Sequence, residues 1–108
     1  MNNFFLLQKT PKEINTAIAE RIRAIRKRRK ISQTELSKKS GVSLGSVKRF
    51  EQSGDISLIS LTKIAIALDI SDELEDLFAD VKPQSIEEIL NTPQVAHTPK
   101  HSRKSTAG

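Results

Sequence analysis

The stretch GVSLGSVKRF, residues 41–50, has the residue types of a hinge followed by the first turns of a helix that could enter a DNA groove. Ser43, Ser46, Lys48 and Arg49 carry hydrogen-bonding groups, whereas Leu44 and Gly45 carry none on their side chains. The other chemistry-bearing residues are poorly placed. The only histidines, His97 and His101, form an HxxxH pair in a polar terminal stretch with no nearby acid to complete a metal site. No Gly-rich phosphate loop is present. The carboxylates fall on a solvated helix face rather than in a catalytic pair. These features predict no enzyme, no metal and no cofactor.

The elements that must position this stretch are helical. From Glu13 to about Arg29 the residues Ile14, Ile18, Ile22 and Ile25 recur at helical spacing, with Arg21, Arg23, Lys27 and Arg28 on the other face. Ser32 with Glu35 three residues on is a capping-box pattern, which predicts a short helix over about 33–40 with Leu36 as its anchor. Gly41 follows at the position where a left-handed residue ends a helix. Ser43 caps a third helix, about 44–52, with Val47 and Phe50 inward. Ser53-Gly54-Asp55 breaks the chain, and a fourth helix is expected over about 57–68.

That fourth helix is apolar nearly all round. Leu58, Leu61, Ile64, Ala65 and Leu68 make one expected core face, and Ile59, Ile66 and Ile70 lie outside it. Such a helix is buried on more than one side. A second chain, or the apolar run Phe4–Leu7, could supply the second cover. A fifth, acidic helix from Asp72 to about Ala79 carries Leu74, Leu77 and Phe78. After Val81, Pro83 leads to SIEEIL, a capped turn or two. From Asn91 the chain is polar, Pro-containing and basic, and reads as disordered. The organisation expected is an arm over 1–12, a folded domain over 13–80 and an extension over 81–108.

The chain has 108 residues, 36% hydrophobic and 29% charged, with no cysteine. It suits one small soluble domain without disulfides or thiolate metal sites. The run Phe4–Leu7 is too short for a membrane span. The net charge is +5, unevenly spread. Residues 1–50 hold thirteen Lys/Arg against Glu13, Glu20 and Glu35, whereas 51–80 hold eight acids against Lys63 alone. One part of the domain should attract a polyanion and the other repel it.

The joint pattern is the strongest signal: a short helix with an apolar anchor, Gly-Val-Ser, then a second short helix with apolar residues at fixed offsets. SQTELSKKSGVSLGSVKRFEQSG, followed by SLISLTKIAIALDI, resembles the Cro/C1-type helix-turn-helix of the phage-repressor and XRE family over about residues 15–80. The resemblance implies an all-α, five-helix, lambda-repressor-like domain. It implies base contacts from Ser43, Leu44, Gly45, Ser46, Lys48 and Arg49. Arg49 is the best candidate for guanine O6 and N7, Lys48 for a guanine or a phosphate, and Leu44 for a thymine methyl. It implies phosphate contacts from Ser32, Gln33, Lys38 and Ser53, and a structural ion pair between Arg26 and Glu51. The loop after the third helix departs from the family pattern, since Ser53-Gly54-Asp55 contains no cation.

Within the family, FEQSGDISLISL, an acidic helix, a proline and SIEEIL resemble HipB-type antitoxins. That resemblance implies a homodimer on a palindromic operator of double-stranded DNA and a HipA-like kinase toxin as partner. It also implies a cytoplasmic protein, nucleoid-associated when bound, with a dimer or partner face from Ile59, Ile66, Ile70, Leu74, Leu77 and Phe78. The alternatives are a stand-alone XRE-family regulator and, in a different class, a polybasic adaptor using the run RKRRK at 26–30.

Overall fold

The computed structural model describes residues 9–91, and every regular element among them is an α-helix. These are α1 Pro11–Arg28, α2 Gln33–Ser40, α3 Leu44–Ser53, α4 Leu58–Ala67, α5 Ser71–Glu75 and α6 Ile86–Asn91. Residues 1–8 of the expected arm and 92–108 of the expected tail, His97 and His101 included, lie outside the described residues. Residues up to Asp69 form one compact unit, and Ile70 onward a second.

In the first unit, Thr10 caps α1. Its hydroxyl accepts the Glu13 N–H at 3.1 Å, and the Glu13 carboxylate accepts the Thr10 N–H at 2.9 Å. This capping box, with Pro11 in the first turn, starts the helix two residues before the expected Glu13. The buried stripe of α1 is also not the isoleucine row itself. Ala19 and Arg26 are buried, Ile18, Ile22 and Ile25 are half-buried, and Ile14 is 48% exposed. Ala19 and Arg26 are seven residues apart, so they share a helix face, and the small Ala19 lets α1 lie close to α3, against which it packs.

Helix α2 spans the expected residues because both of its ends are set locally. Ser32 and Glu35 form a reciprocal capping box, and Gly41 closes the helix at φ 77 with its N–H on the Ser37 carbonyl. The Glu35 carboxyl is held below the usual carboxylate range by the Ser32 backbone N–H, then by the Ser32 hydroxyl. Two serines then fix the turn into α3. The Ser37 hydroxyl donates to the Val42 carbonyl at 2.6 Å, and the Ser40 hydroxyl accepts the Val42 N–H at 3.1 Å. Leu36, Val42, Val47 and Phe50 sit in the core with Ile64, Ala65 and Leu68 of α4 and its cap.

Leu58 departs from the expected core face of α4 and is 71% exposed. It is the first residue of the helix, at the rim, and the buried residues begin at Ile64. Ile59 and Ile66 are exposed as well. The helix ends with Asp69 in the left-handed region at φ 59, a conformation that Asp tolerates better than most residues. In the second unit, α5 is a five-residue helix followed by turns, shorter than the expected span to Ala79. Ile70 and Leu74 are half-buried, whereas Leu77 and Phe78 are exposed. The turn expected at 85–90 is a sixth short helix, α6, whose Ile86, Ile89 and Leu90 are all exposed.

An ion pair joins three elements of the first unit. Arg26 of α1 donates from Nε to Glu51 Oε2 at 2.6 Å and from Nη2 to Oε1 at 3.0 Å. Its Nη1 donates to the carbonyl of Ile31 at 2.7 Å, in the turn before α2. Gln33, the first residue of α2, donates from Nε2 to Glu51 Oε1 at 3.0 Å. Both charged residues are buried, at 7% and 8% exposed.

Gly54 is the one glycine that fold and packing both require. It closes α3 at φ 80, and a Cβ there would lie 2.7 Å from the backbone carbon of Asn15 in α1. Gly54→Ala is expected to cost about 2–4 kcal/mol, combining left-handed strain with overpacking. Gly41→Ala has open space, so it should cost only about 1–2 kcal/mol. Urea midpoints check the ranking, and equal midpoints for the two variants would remove the packing argument. For the ion pair, Glu51→Leu alone should cost about 3–5 kcal/mol, because it strands a buried guanidinium. Arg26→Met with Glu51→Leu should recover much of that loss in the same measurement.

Candidate nucleic-acid interface

Helix α3 divides cleanly into two faces. Val47, Phe50 and Glu51 are buried, and Gly45, Lys48, Arg49 and Gln52 are exposed. The exposed set recurs at i, i+3, i+4 and i+7, so it forms one continuous stripe along the helix. Lys48 and Arg49 have no ion-pair partner among the described residues. Two unpaired cations beside a glycine form a surface with donors to spare and little bulk at its leading edge. Leu44 and Ser46 are half-buried at the margin of the stripe.

The hydroxyls around this stripe are not equally free. Ser43 caps α3 by accepting the Ser46 N–H at 3.1 Å, and its own proton goes to the Ser46 hydroxyl oxygen at 2.9 Å. The Ser46 hydroxyl proton remains to be directed outward. Ser53 donates to the Arg49 carbonyl at 2.7 Å and accepts the Asp55 N–H at 3.3 Å, so its proton too is committed within the protein. Ser32 is committed as well: its oxygen accepts the Glu35 N–H at 3.0 Å, and its hydroxyl supports the Glu35 carboxylate.

A polar hollow of about 330 Å³ lies where α1, α2 and α3 meet, lined by Arg23, Gln33, Lys48, Glu51 and Gln52. Arg23 is half-exposed there, with Nε 3.9 Å from Glu51 Oε1. Each of Arg23, Gln33, Lys48 and Gln52 can donate to an anion, and the first turn of α2 adds backbone N–H groups. A second hollow, about 240 Å³, is lined by Ser46, Arg49, Asp55, Ile56, Ser57 and Ser60. It joins the end of the exposed stripe to the N-terminus of α4, where Ser57 accepts the Ser60 N–H. Lys38 is exposed in the last turn of α2 and lines neither hollow.

The structure thus brings Gly45, Lys48 and Arg49 onto one face, and Gln33 and Lys48 into one hollow. Sequence reasoning passed over Arg23 and Gln52 as members of that hollow, and Ser57 and Ser60 in the second. The helical period gives a usable signal for the first pair. Arg23 is three residues before Arg26, and Gln52 is four after Lys48, so each shares a face with a residue already singled out.

Among the described residues, no group of three His, Cys, Asp or Glu could hold a metal, and no helix is long and apolar enough to cross a membrane. No curated protein matches the chain. Residues 22–74 match a family model described as Helix-turn-helix. The match begins inside α1 and runs to within one residue of the end of α5, so it takes in the Arg26–Glu51 pair, the turn at 41–43 and the whole of α3. Over these residues the chain is similar to a helix-turn-helix domain, which supports the Cro/C1-type class.

Proposed function

We propose that the protein is a sequence-specific transcriptional repressor that binds a palindromic operator as a homodimer, with α3 in the major groove. The observation that carries this reading is the outer face of α3. Gly45 needs neither a left-handed φ nor room for a neighbour, since a Cβ there would meet open space. Glycine within a helix lowers stability by up to about 1 kcal/mol relative to alanine. A glycine that the fold does not need, set beside two unpaired cations, fits a face that must approach another surface closely.

In this reading Arg49 reads guanine, Lys48 reads a guanine or holds a phosphate, and Leu44 touches a thymine methyl. Ser46 offers its free proton to a base edge, and Ser43 chiefly orients the helix. The hollow at Arg23, Gln33, Lys48 and Gln52 seats one phosphate, with Ser32 beside it and Lys38 further out. Ser53 contributes position rather than a donated bond. Two such helices would enter successive major grooves about 34 Å apart. Arg49→Ala should weaken operator binding by about 1–3 kcal/mol and relax preference at one base pair. Gel-shift titrations against the operator and random duplex at fixed salt decide this, because equal losses on both would reject base reading.

The dimer and the partner form the finer part of the proposal. We assign the homodimer contact to Ile59 and Ile66, exposed at 67% and 62% and seven residues apart on α4. In the second unit, Leu77 and Phe78 are exposed, and Ile70 and Leu74 half-buried. These four fit a contact with a HipA-like kinase toxin, for which the resemblance to HipB-type antitoxins is the support. The protein would then be the cytoplasmic, nucleoid-associated antitoxin and autorepressor of that operon. The chain purified from its native host should sediment as a dimer with a kinase-like protein bound, and Ile66→Lys should leave it folded but monomeric. A dimeric Ile66→Lys protein would reject the α4 contact. Purification without any kinase would leave a stand-alone regulator.

A further inference from the structure

The two hollows that flank the exposed stripe of α3 differ in charge. The first holds Arg23 and Lys48 against Glu51, whose carboxylate is already paired with Arg26, so it is cationic on balance. The second holds one cation and one anion, Arg49 and Asp55, with the neutral hydroxyls of Ser46, Ser57 and Ser60. An acid is out of place on a face that meets a polyanion, because a carboxylate there repels phosphate. Asp55 is exposed, and it makes no ion pair with Arg49 or with any other described residue.

The position of Asp55 is nevertheless fixed. Its N–H goes to the Ser53 hydroxyl at 3.3 Å, and that hydroxyl donates to the Arg49 carbonyl at 2.7 Å. The backbone of Asp55 is thus tied to the turn of α3 that carries Arg49. Gly54, the residue before it, lies at φ 80 so close to the backbone of Asn15 that a Cβ would not fit. The loop therefore has little room to swing.

We propose that Asp55 is a specificity-determining residue, whose carboxylate takes one edge of the Arg49 guanidinium while the other edge meets a base. The inference rests on the reading of α3 as the helix that enters the major groove. A guanidinium carries five donors in a fixed plane, and a bidentate contact with guanine uses only two of them. An exposed arginine without a partner bonds any phosphate in reach, and a duplex offers phosphates whatever its sequence. A carboxylate beside it changes that choice in two ways. It accepts from the donors left over, so the plane is set before the base arrives and less side-chain freedom is lost on binding. It also disfavours phosphate in the same hollow, which penalises the competing contact. Asp55 touches no base and acts through Arg49 as a positioning residue. Its charge also favours the N-terminus of α4, but that contribution is to stability and carries no base preference.

Asp55→Asn tests this in the full-length chain, because asparagine keeps the shape and the N–H and removes the charge. The unsubstituted protein first selects an operator from a random pool of duplexes. Fluorescence anisotropy at fixed salt then gives the affinity for that operator and for random duplex. The ratio of the two should fall about two- to ten-fold, the range set by the ordering cost of one long side chain. In an Arg49→Ala background, Asp55→Asn should leave the ratio unchanged. Equal changes on both duplexes would overturn the proposal, as would a fall in the ratio that persists without Arg49. A lowered melting temperature with an unchanged ratio would also overturn it, leaving Asp55 as a charge that serves α4 alone. The two levels of the argument separate cleanly. If Arg49→Ala itself leaves the ratio unchanged, base reading by Arg49 fails and this proposal fails with it. If Arg49→Ala lowers the ratio and Asp55→Asn does not, only this proposal fails.

Discussion

The carboxylate of Glu51 is the point on which the helix-turn-helix geometry depends. It is buried, it receives two donated bonds from Arg26, and it receives a third from Gln33. Taking two charges out of water costs several kcal/mol per ion, so the pair is tolerated only with every hydrogen bond made. That condition is met, since no buried side-chain nitrogen or oxygen among the described residues lacks a partner. A planar guanidinium that bonds a carboxylate through two nitrogens accepts one register and one direction of approach. An apolar pair of the same volume could slide. The position of α3 against α1 is thus set by bond geometry as well as by packing.

The same guanidinium also sets the entry to α2. Helix α1 ends with Lys30 in the left-handed region at φ 58 and with the Ile31 N–H on the Arg26 carbonyl. This is a Schellman-type ending in which lysine stands where glycine is usual. Lysine pays a conformational cost there, and the third arm of the Arg26 fork, bonded to the Ile31 carbonyl, offsets it by pinning the next residue. Arg26 therefore reaches α3 with one edge and the α1–α2 turn with the other. Gln33, two residues past Ile31, is held over Glu51 at the mouth of the polar hollow. Its carbonyl oxygen and second amide N–H are not used in that bond, so it can orient inward and still donate outward.

Much of this was legible where the determinants are local. Helix α2 spans the residues expected because Ser32, Glu35 and Gly41 act over three or four residues, and the core positions Leu36, Val47 and Phe50 follow from the helical period. The start of α1 was equally local, in Thr10, Pro11 and Glu13, but was passed over for the isoleucine row. Period alone failed on α4. A helix apolar nearly all round gives no phase, so the exposure of Leu58 depends on where its neighbours end rather than on its own sequence. The site was legible as a set of residue types, but not as a set of available groups. Whether a serine reads DNA depends on where its proton already goes, and the bonds from Ser43 to Ser46 and from Ser53 to Arg49 follow from backbone placement.

On the proposed function, those committed hydroxyls limit how the domain would discriminate between sequences. In the proposed complex, with the Ser43 and Ser53 protons committed and Gly45 without a side chain, hydrogen-bond readout from α3 would rest on Arg49, Lys48 and Ser46. One bidentate contact separates bases by about 1–3 kcal/mol, whereas specific complexes exceed non-specific ones by about 4–10 kcal/mol. On that proposal the remainder would come from how easily the duplex takes the shape that these contacts require. The fold is suited to impose such a shape. In the proposed complex the hollow at Arg23, Gln33, Lys48 and Gln52 would hold the backbone beside one end of α3, whereas the hollow at the other end sets the carboxylate of Asp55 beside Arg49. The first is anchored to α1, α2 and α3, whose spacing the buried Arg26–Glu51 pair fixes. On that proposal, a duplex that cannot bring a phosphate to the first hollow would forfeit charge-assisted bonds, even where its bases match Arg49. In the proposed complex, rigidity would supply part of what side-chain readout lacks.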